Sequence, residues 1–122
     1  VQMKYLESVI SKYLDNGKFY DKELIGVDGV ELVKYNKNTE PSYWLYTLKV
    51  KDRADFIKMM ADKKIMASPL HHRCDTHSIF KESKCGLPQM EEFYNNFVHI
   101  PCGWWVSKKD RKFIVETIKK GW

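Results

Sequence analysis

The sequence predicts an α+β domain: a small, mostly antiparallel or mixed sheet of three to four strands, with helices packed mainly on one face. Three observations carry this expectation. Segments with helical spacing of apolar residues alternate with short β-branched and aromatic runs, in the order helix, strand, strand, helix, strand, helix, strand, helix. The chain has 122 residues, enough for one core and too few for two, so residues 1–122 read as a single domain. Its hydrophobic fraction of 43% and aromatic fraction of 14% are those of a folded chain.

The elements follow in order. Met3, Leu6, Ile10, Tyr13 and Leu14 share one helical face, and Asn16-Gly17 reads as the end of that helix because glycine accepts the left-handed cap conformation. No capping residue precedes the helix, so the natural chain is expected to continue upstream. The Asp28-Gly29 turn leads into a strand at residues 30–35, and a loop with Asn36, Asn38, Pro41 and Ser42 separates it from a second strand at residues 43–50. In the second strand Trp44, Tyr46, Leu48 and Val50 take one face, while Tyr43, Leu45 and Thr47 take the other. Both faces are apolar, which places this strand at the sheet centre.

Asp52 is expected to cap the next helix, with Phe56, Ile57 and Met60 as its buried stripe and Lys63 and Lys64 opposing its dipole. Residues 65–68 read as a short strand. Pro88 suits the first position of a helix carrying Met90, Phe93 and Tyr94, and residues 97–100 form a last strand, stopped by Pro101. Ser107 with Asp110 resembles a capping box, opening a helix whose core face is Phe113, Ile114, Thr117 and Ile118.

Charge and cysteine usage narrow the function classes. Twenty-one Lys and Arg against sixteen Asp and Glu give a net charge of +5, which allows an anionic partner. The densest basic group, Lys108, Lys109, Arg111, Lys112, Lys119 and Lys120, shares its segment with Asp110 and Glu116. It reads as a solvated helix face, and nucleic acid is not an expected partner. No apolar run approaches the ~20 residues of a membrane span and no signal-peptide pattern is present, so a cytoplasmic location without membrane association is expected. Cys74, Cys85 and Cys102 are odd in number and irregular in spacing, which argues for reduced thiols.

The most polar feature is the run His71, His72, Arg73, Cys74, Asp75, Thr76, His77, holding three of the four histidines. Burying such groups without partners is costly, so the run belongs to a surface loop, and its place at a strand end suits an anion-binding or catalytic loop. Pro69 biases Ser68 toward extended geometry. If extension persists, His71 and Arg73 share a side, a pairing that suits a phosphate or carboxylate, with His77 joining after the loop turns. A solvated loop with internal hydrogen bonds is the plainer alternative. His71, Cys74, His77 and Cys85 carry metal-ligand atoms but lack the paired knuckles of a zinc site, and no metal is expected. Cys74 has no activating context for a nucleophile. Trp104 and Trp105, costly to leave in water, either roof the core or meet another protein surface.

One succession of motifs spans nearly the whole chain: Pro41-Ser42-Tyr43-Trp44-Leu45-Tyr46, Asp52-Arg53 with Phe56-Ile57, Ile65-Met66-Ala67-Ser68-Pro69-Leu70-His71, Leu87-Pro88 through Ile100-Pro101, and Ser107 through Ile118. It resembles the C-terminal small domain of the DegT-type family, pyridoxal-phosphate-dependent nucleotide-sugar aminotransferases. The resemblance implies a missing N-terminal large domain that holds the cofactor, and a homodimer with active sites at the subunit interface. It further implies that the loop at residues 70–80 approaches a nucleotide-sugar substrate, with His71, Arg73 and His77 as contacts. Trp104 and Trp105 stand as the interface candidates. The cofactor-bearing lysine, the acidic partner of the pyridine nitrogen and the phosphate-binding segment belong to the large domain. The chain alone is therefore expected to contain no catalytic residue, to bind no pyridoxal phosphate and to be inactive. The alternative is a free-standing basic module that uses the same loop to hold a phosphate-bearing ligand or nucleic acid.

Overall fold

A computed structural model describes residues 2–83 and 85–122. After a 3-10 turn at Gln2–Tyr5, helix α1 runs over Leu6–Leu24, seven residues beyond the Asn16-Gly17 stop read from sequence. Gly17 is not a cap. It lies against the Tyr43 ring, where an added Cβ would fall 2.1 Å from Cγ. Asn16 is buried, donating from Nδ2 to the carbonyls of Gly103 at 3.1 Å and Val106 at 3.2 Å, and accepting at Oδ1 from Arg111 Nη1 at 3.0 Å. Small and polar residues mid-helix thus serve close packing and a long-range clamp. The buried face of α1 is Asn16, Gly17, Tyr20 and Leu24; Leu14 packs at its margin, whereas Leu6 and Ile10 are exposed.

Strand β1 covers Val30–Leu32, β2 Tyr46–Val50 and β3 Phe97–Ile100, in the spatial order β1-β2-β3 with both pairings antiparallel. The α+β expectation holds, and β2 is central as its two apolar faces indicated. Both N-terminal strands are shorter than read from sequence. Tyr43 takes φ 51°, which breaks extension ahead of β2, so Tyr43 is buried and Trp44 is 65% exposed, the reverse of a core position for Trp44. Residues 65–68 form no strand; a single bridge joins Ser68 to His99 on the outer edge of β3.

Helix α2 spans Arg53–Asp62, α3 Pro88–Asn96 with proline in its first turn, and α4 Lys108–Lys119. Asp52 precedes α2 but caps it differently from expectation. It sits at φ 46° without a side-chain cap bond, and its carbonyl accepts the Asp55 and Phe56 amides. The capping box of α4 is complete: Ser107 Oγ accepts from the Asp110 amide at 3.1 Å, and Asp110 Oδ2 accepts from the Ser107 amide at 3.0 Å.

Helices α1, α2 and α4 cover one face of the sheet. Tyr20, Leu24, Tyr46, Leu48, Val50, Phe56, Met60, Val98, Ile100, Ile114 and Ile118 form one cluster there. Each large apolar side chain fully buried in it stabilises the fold by about 1.5–3 kcal/mol. The alternation of β2 and β3 turns Thr47, Lys49, Phe97 and His99 to the opposite face, which α3 partly covers. Among the described residues no helix is long and apolar enough to cross a membrane.

Candidate functional site

The opposite face of the sheet builds the site. Ser68 and His99 exchange backbone hydrogen bonds at 3.2 and 3.0 Å, tying the chain to β3 immediately before the histidine loop. His71 therefore lands against His99, ring centroids 5.4 Å apart and nearly perpendicular, with the Trp44 ring 6.2 Å from His71. Across the ladder His99 pairs with Thr47, whose Oγ1 lies 3.0 Å from His99 Nδ1. His99 is 9% exposed, and its Nε2 has no hydrogen-bond partner among the described residues. Burial, followed by the neighbouring His71, holds its pKa below the ordinary 6.5, so the ring is neutral near neutral pH. A buried polar atom left unsatisfied costs about 1–3 kcal/mol, a cost a bound partner would relieve.

Between this face, α3 and the loop lies a cavity of about 410 Å³, whose walls include Thr47, His71, Met90, Phe93, Phe97 and His99. That volume is in the range of small-molecule pockets. Phe93 and Phe97 stack with centroids 5.2 Å apart, and Phe97 meets His99 edge to face at 5.2 Å, giving an aromatic wall beside the imidazole.

The histidine loop does not stay extended. Residues Cys74–Thr76 form a 3-10 turn, so the alternation that would align His71 with Arg73 ends at Arg73. Arg73 is bound to Asp75 by two hydrogen bonds, at 2.9 and 2.5 Å, and its guanidinium carbon lies 5.8 Å from the Tyr94 ring centre. His72 is held by Tyr94 Oη at 3.1 Å and Thr76 Oγ1 at 3.2 Å, with the exposed His77 ring 5.5 Å away. The structure thus groups His71 with His99, and His72 with His77 and Tyr94. Sequence reasoning missed His99, Thr47 and the α3 aromatics as site residues. Within residues 97–100 a histidine reads as a core residue, and only the register against Thr47 shows that it faces a cavity.

Other chemistry-bearing groups lie elsewhere. Cys74 and Cys85 are exposed, while burial and then Asp21 push the Cys102 thiol up to about 12, which makes it inert as a nucleophile. Among the described residues no three of His, Cys, Asp and Glu gather closely enough to hold a metal. Trp104 and Trp105 do not roof the core: they are 52% and 63% exposed, on a turn whose flanking carbonyls Asn16 clamps. Trp105 stands edge-on to Tyr13 at 6.3 Å.

These features define a small α+β domain with a histidine-bearing, aromatic-walled cavity on the second face of its sheet. Residues 1–119 match the model of the DegT/DnrJ/EryC1/StrS aminotransferase family, and the chain belongs to that family. Its structure is similar to that of the sugar aminotransferase CalS13 from Micromonospora echinospora, at 39% identity and TM-score 0.95, covering 98% of this chain and 32% of that one. It is equally similar to AtS13 from Actinomadura melliaura, at 36% identity and TM-score 0.95, again with 98% and 32% of the two chains covered. The fold is shared with TlmJ from Streptoalloteichus hindustanus at 18% identity and TM-score 0.90, covering 99% of this chain and 34% of that one. The chain thus spans about a third of the length of these solved relatives. Comparison with curated proteins returned no match.

The residues that line the histidine cavity do not fit the family's cofactor. Pyridoxal phosphate needs a lysine whose amine is readily deprotonated. Lys49, at 20% side-chain exposure, is paired with Glu31 at 3.0 Å and Glu92 at 3.3 Å. The Glu31 hydrogen bond, ahead of that from Glu92, raises its pKa, which is the wrong direction for a nucleophile, and no lysine lines the histidine cavity.

Proposed function

We propose that this chain is the C-terminal small lobe of a pyridoxal-phosphate-dependent aminotransferase acting on a nucleotide-linked keto-sugar. In this role it contributes substrate-loop and interface residues but no reacting group. One observation carries the proposal: 39% identity over 98% of the chain to a solved sugar aminotransferase of which it spans 32%. In this reading an N-terminal large domain holds the cofactor, the full-length protein is a cytoplasmic homodimer, and this lobe alone is inactive. His71, Arg73 and His77 face the sugar nucleotide, and Trp104 and Trp105 meet the large domain or the second subunit.

The lobe's own contribution is binding and positioning. His71, exposed on the loop and backed by His99, offers a ring nitrogen to a sugar or phosphate oxygen. Arg73, fixed by Asp75 and Tyr94, sets the shape of the turn and retains further N–H groups for an anion. The apolar walls of the cavity exclude water from the bound portion of the substrate. A free-standing module for phosphate ligands or nucleic acid is not favoured, because the family match runs over residues 1–119.

The test is expression of the complete gene product, with glutamate as amino donor and nucleotide-linked keto-sugars as acceptors. Amination by that product but not by residues 1–122 alone supports the proposal. A complete product that absorbs no light as a pyridoxal-phosphate protein, or that leaves the keto-sugar unchanged, contradicts it.

A further inference from the structure

Helix α3 has little hold of its own on the rest of the domain. Its residues are exposed or half-buried, and its ion pair to the sheet, Glu92 with Lys49, uses an exposed carboxylate, where such pairs hold weakly. Arg53, the first residue of α2, supplies a firmer tie. Its Nη1 donates to the carbonyl of Tyr94 in the last turn of α3 and, at 3.4 Å, to that of Phe97, where a cation also answers the helix dipole. Tyr94 carries this tie to the histidine loop. The guanidinium carbons of Arg53 and Arg73 each lie 5.8 Å from its ring centre, so one ring meets a cation from α2 and a cation from the loop. The Tyr94 hydroxyl lies 3.1 Å from His72 Nδ1, and Nε2 of the same imidazole lies 3.2 Å from Thr76 Oγ1. Thr76 Oγ1 in turn donates to the Arg73 carbonyl at 2.6 Å, while the Thr76 and His77 amides close the 3-10 turn on the carbonyls of Arg73 and Cys74 at 3.3 and 3.1 Å. These contacts run unbroken from α2 to residues 72–77.

We propose that Tyr94 and Arg53 are positioning residues of the histidine loop, Tyr94 by touching His72 and Arg73, and Arg53 by acting through Tyr94. Arg53 fixes the end of α3, α3 presents the Tyr94 ring, and the ring sets the turn that follows His71. With Arg53 shortened, Tyr94 withdraws and the turn loses a partner at both His72 and Arg73. That the positioned loop serves a sugar nucleotide rests on the function proposed above; that Arg53 and Tyr94 position it does not.

The experiment is hydrogen exchange by mass spectrometry on the complete gene product, following the Thr76 and His77 amides, with peptides of β2 and α4 as folding controls. Tyr94→Leu and Arg53→Ala are each expected to speed exchange of the loop amides several-fold and to leave the controls unchanged. Tyr94→Phe, which keeps the ring between the two guanidinium groups and removes the hydroxyl, is expected to have a smaller effect, and Arg53→Lys to restore part of the protection lost in Arg53→Ala. Because Arg53 acts through Tyr94, the double variant is expected to match Tyr94→Leu alone. Loop amides that exchange in Arg53→Ala as in the wild type would overturn the proposal. So would full addition of the two effects in the double variant, or acceleration spread equally over β2 and α4. Kinetics separate this inference from the proposed function: Arg53→Ala is expected to raise KM for the sugar nucleotide while KM for glutamate holds. Faster loop exchange with an unchanged sugar-nucleotide KM supports the positioning and contradicts only the substrate reading of the loop.

Discussion

The Arg73 guanidinium closes on Asp75 two residues downstream, Nε donating to Oδ1 at 2.9 Å and Nη2 to Oδ2 at 2.5 Å. The pair balances the one formal cation of residues 71–77, so the loop presents little net positive charge. Asp75→Asn keeps the size of the side chain and removes its charge. The variant is expected to bind inorganic phosphate at the loop more tightly than the wild type, read from the Arg73 Nε signal during titration. Unchanged phosphate affinity would show that Asp75 does not mask the guanidinium.

Gly17 meets the Tyr43 ring so closely that an alanine Cβ would fall 2.1 Å from Cγ. Tyr43 cannot simply retreat, because its hydroxyl donates to Asp21 at 2.5 Å and its ring stacks on Tyr46 at 6.0 Å. Gly17→Ala is expected to destabilise the fold by about 1–3 kcal/mol, the usual cost of overpacking, despite alanine's better helix propensity. A lowered denaturant midpoint checks this; a raised one would mean that the contact relaxes freely.

His99 gives stability a pH dependence. Its folded pKa lies below 6.5, with burial the main cause and His71 the second. As pH falls through 6.5 the unfolded chain takes up a proton that the folded chain refuses. The contribution is therefore complete above 6.5 and is lost as pH falls toward the folded value, with a slope of at most about 1.4 kcal/mol per pH unit. Denaturant melts of the wild type and His99→Gln across that window measure it. The variant is expected to show the shallower slope; parallel slopes would remove His99 as the source.

The capping box at Ser107 and Asp110, the proline opening α3 and the central place of β2 were legible because each is written in local chemistry. The features missed are those that need a distant partner. Gly17 reads as a helix stop until Tyr43 is placed beside it, and Asn16 reads as a turn residue until the carbonyls of Gly103 and Val106 arrive. The histidine loop was visible as a cluster. Its division between His99 on one side and Tyr94 on the other follows from the Ser68 bridge and the Cys74–Thr76 turn, neither of which its composition specifies.

The three cysteines separate by environment. Cys102 is buried and its thiol is pushed up to about 12, whereas Cys74 and Cys85 are exposed. Iodoacetamide at neutral pH is expected to modify two thiols in the folded chain and three after denaturation, with Cys102 the protected site by peptide mapping. Labelling of Cys102 at the rate of the other two would contradict the packing of residues 101–106 against α1.

The central claim is that the histidine loop of this lobe faces the substrate of a sugar aminotransferase. Its most direct test is kcat/KM for amination of a nucleotide-linked keto-sugar by the complete gene product, comparing wild type with His71→Ala. The account expects a loss of roughly tenfold or more, through a raised KM for the sugar nucleotide while the KM for glutamate holds. Equal values of kcat/KM in the two proteins would contradict it.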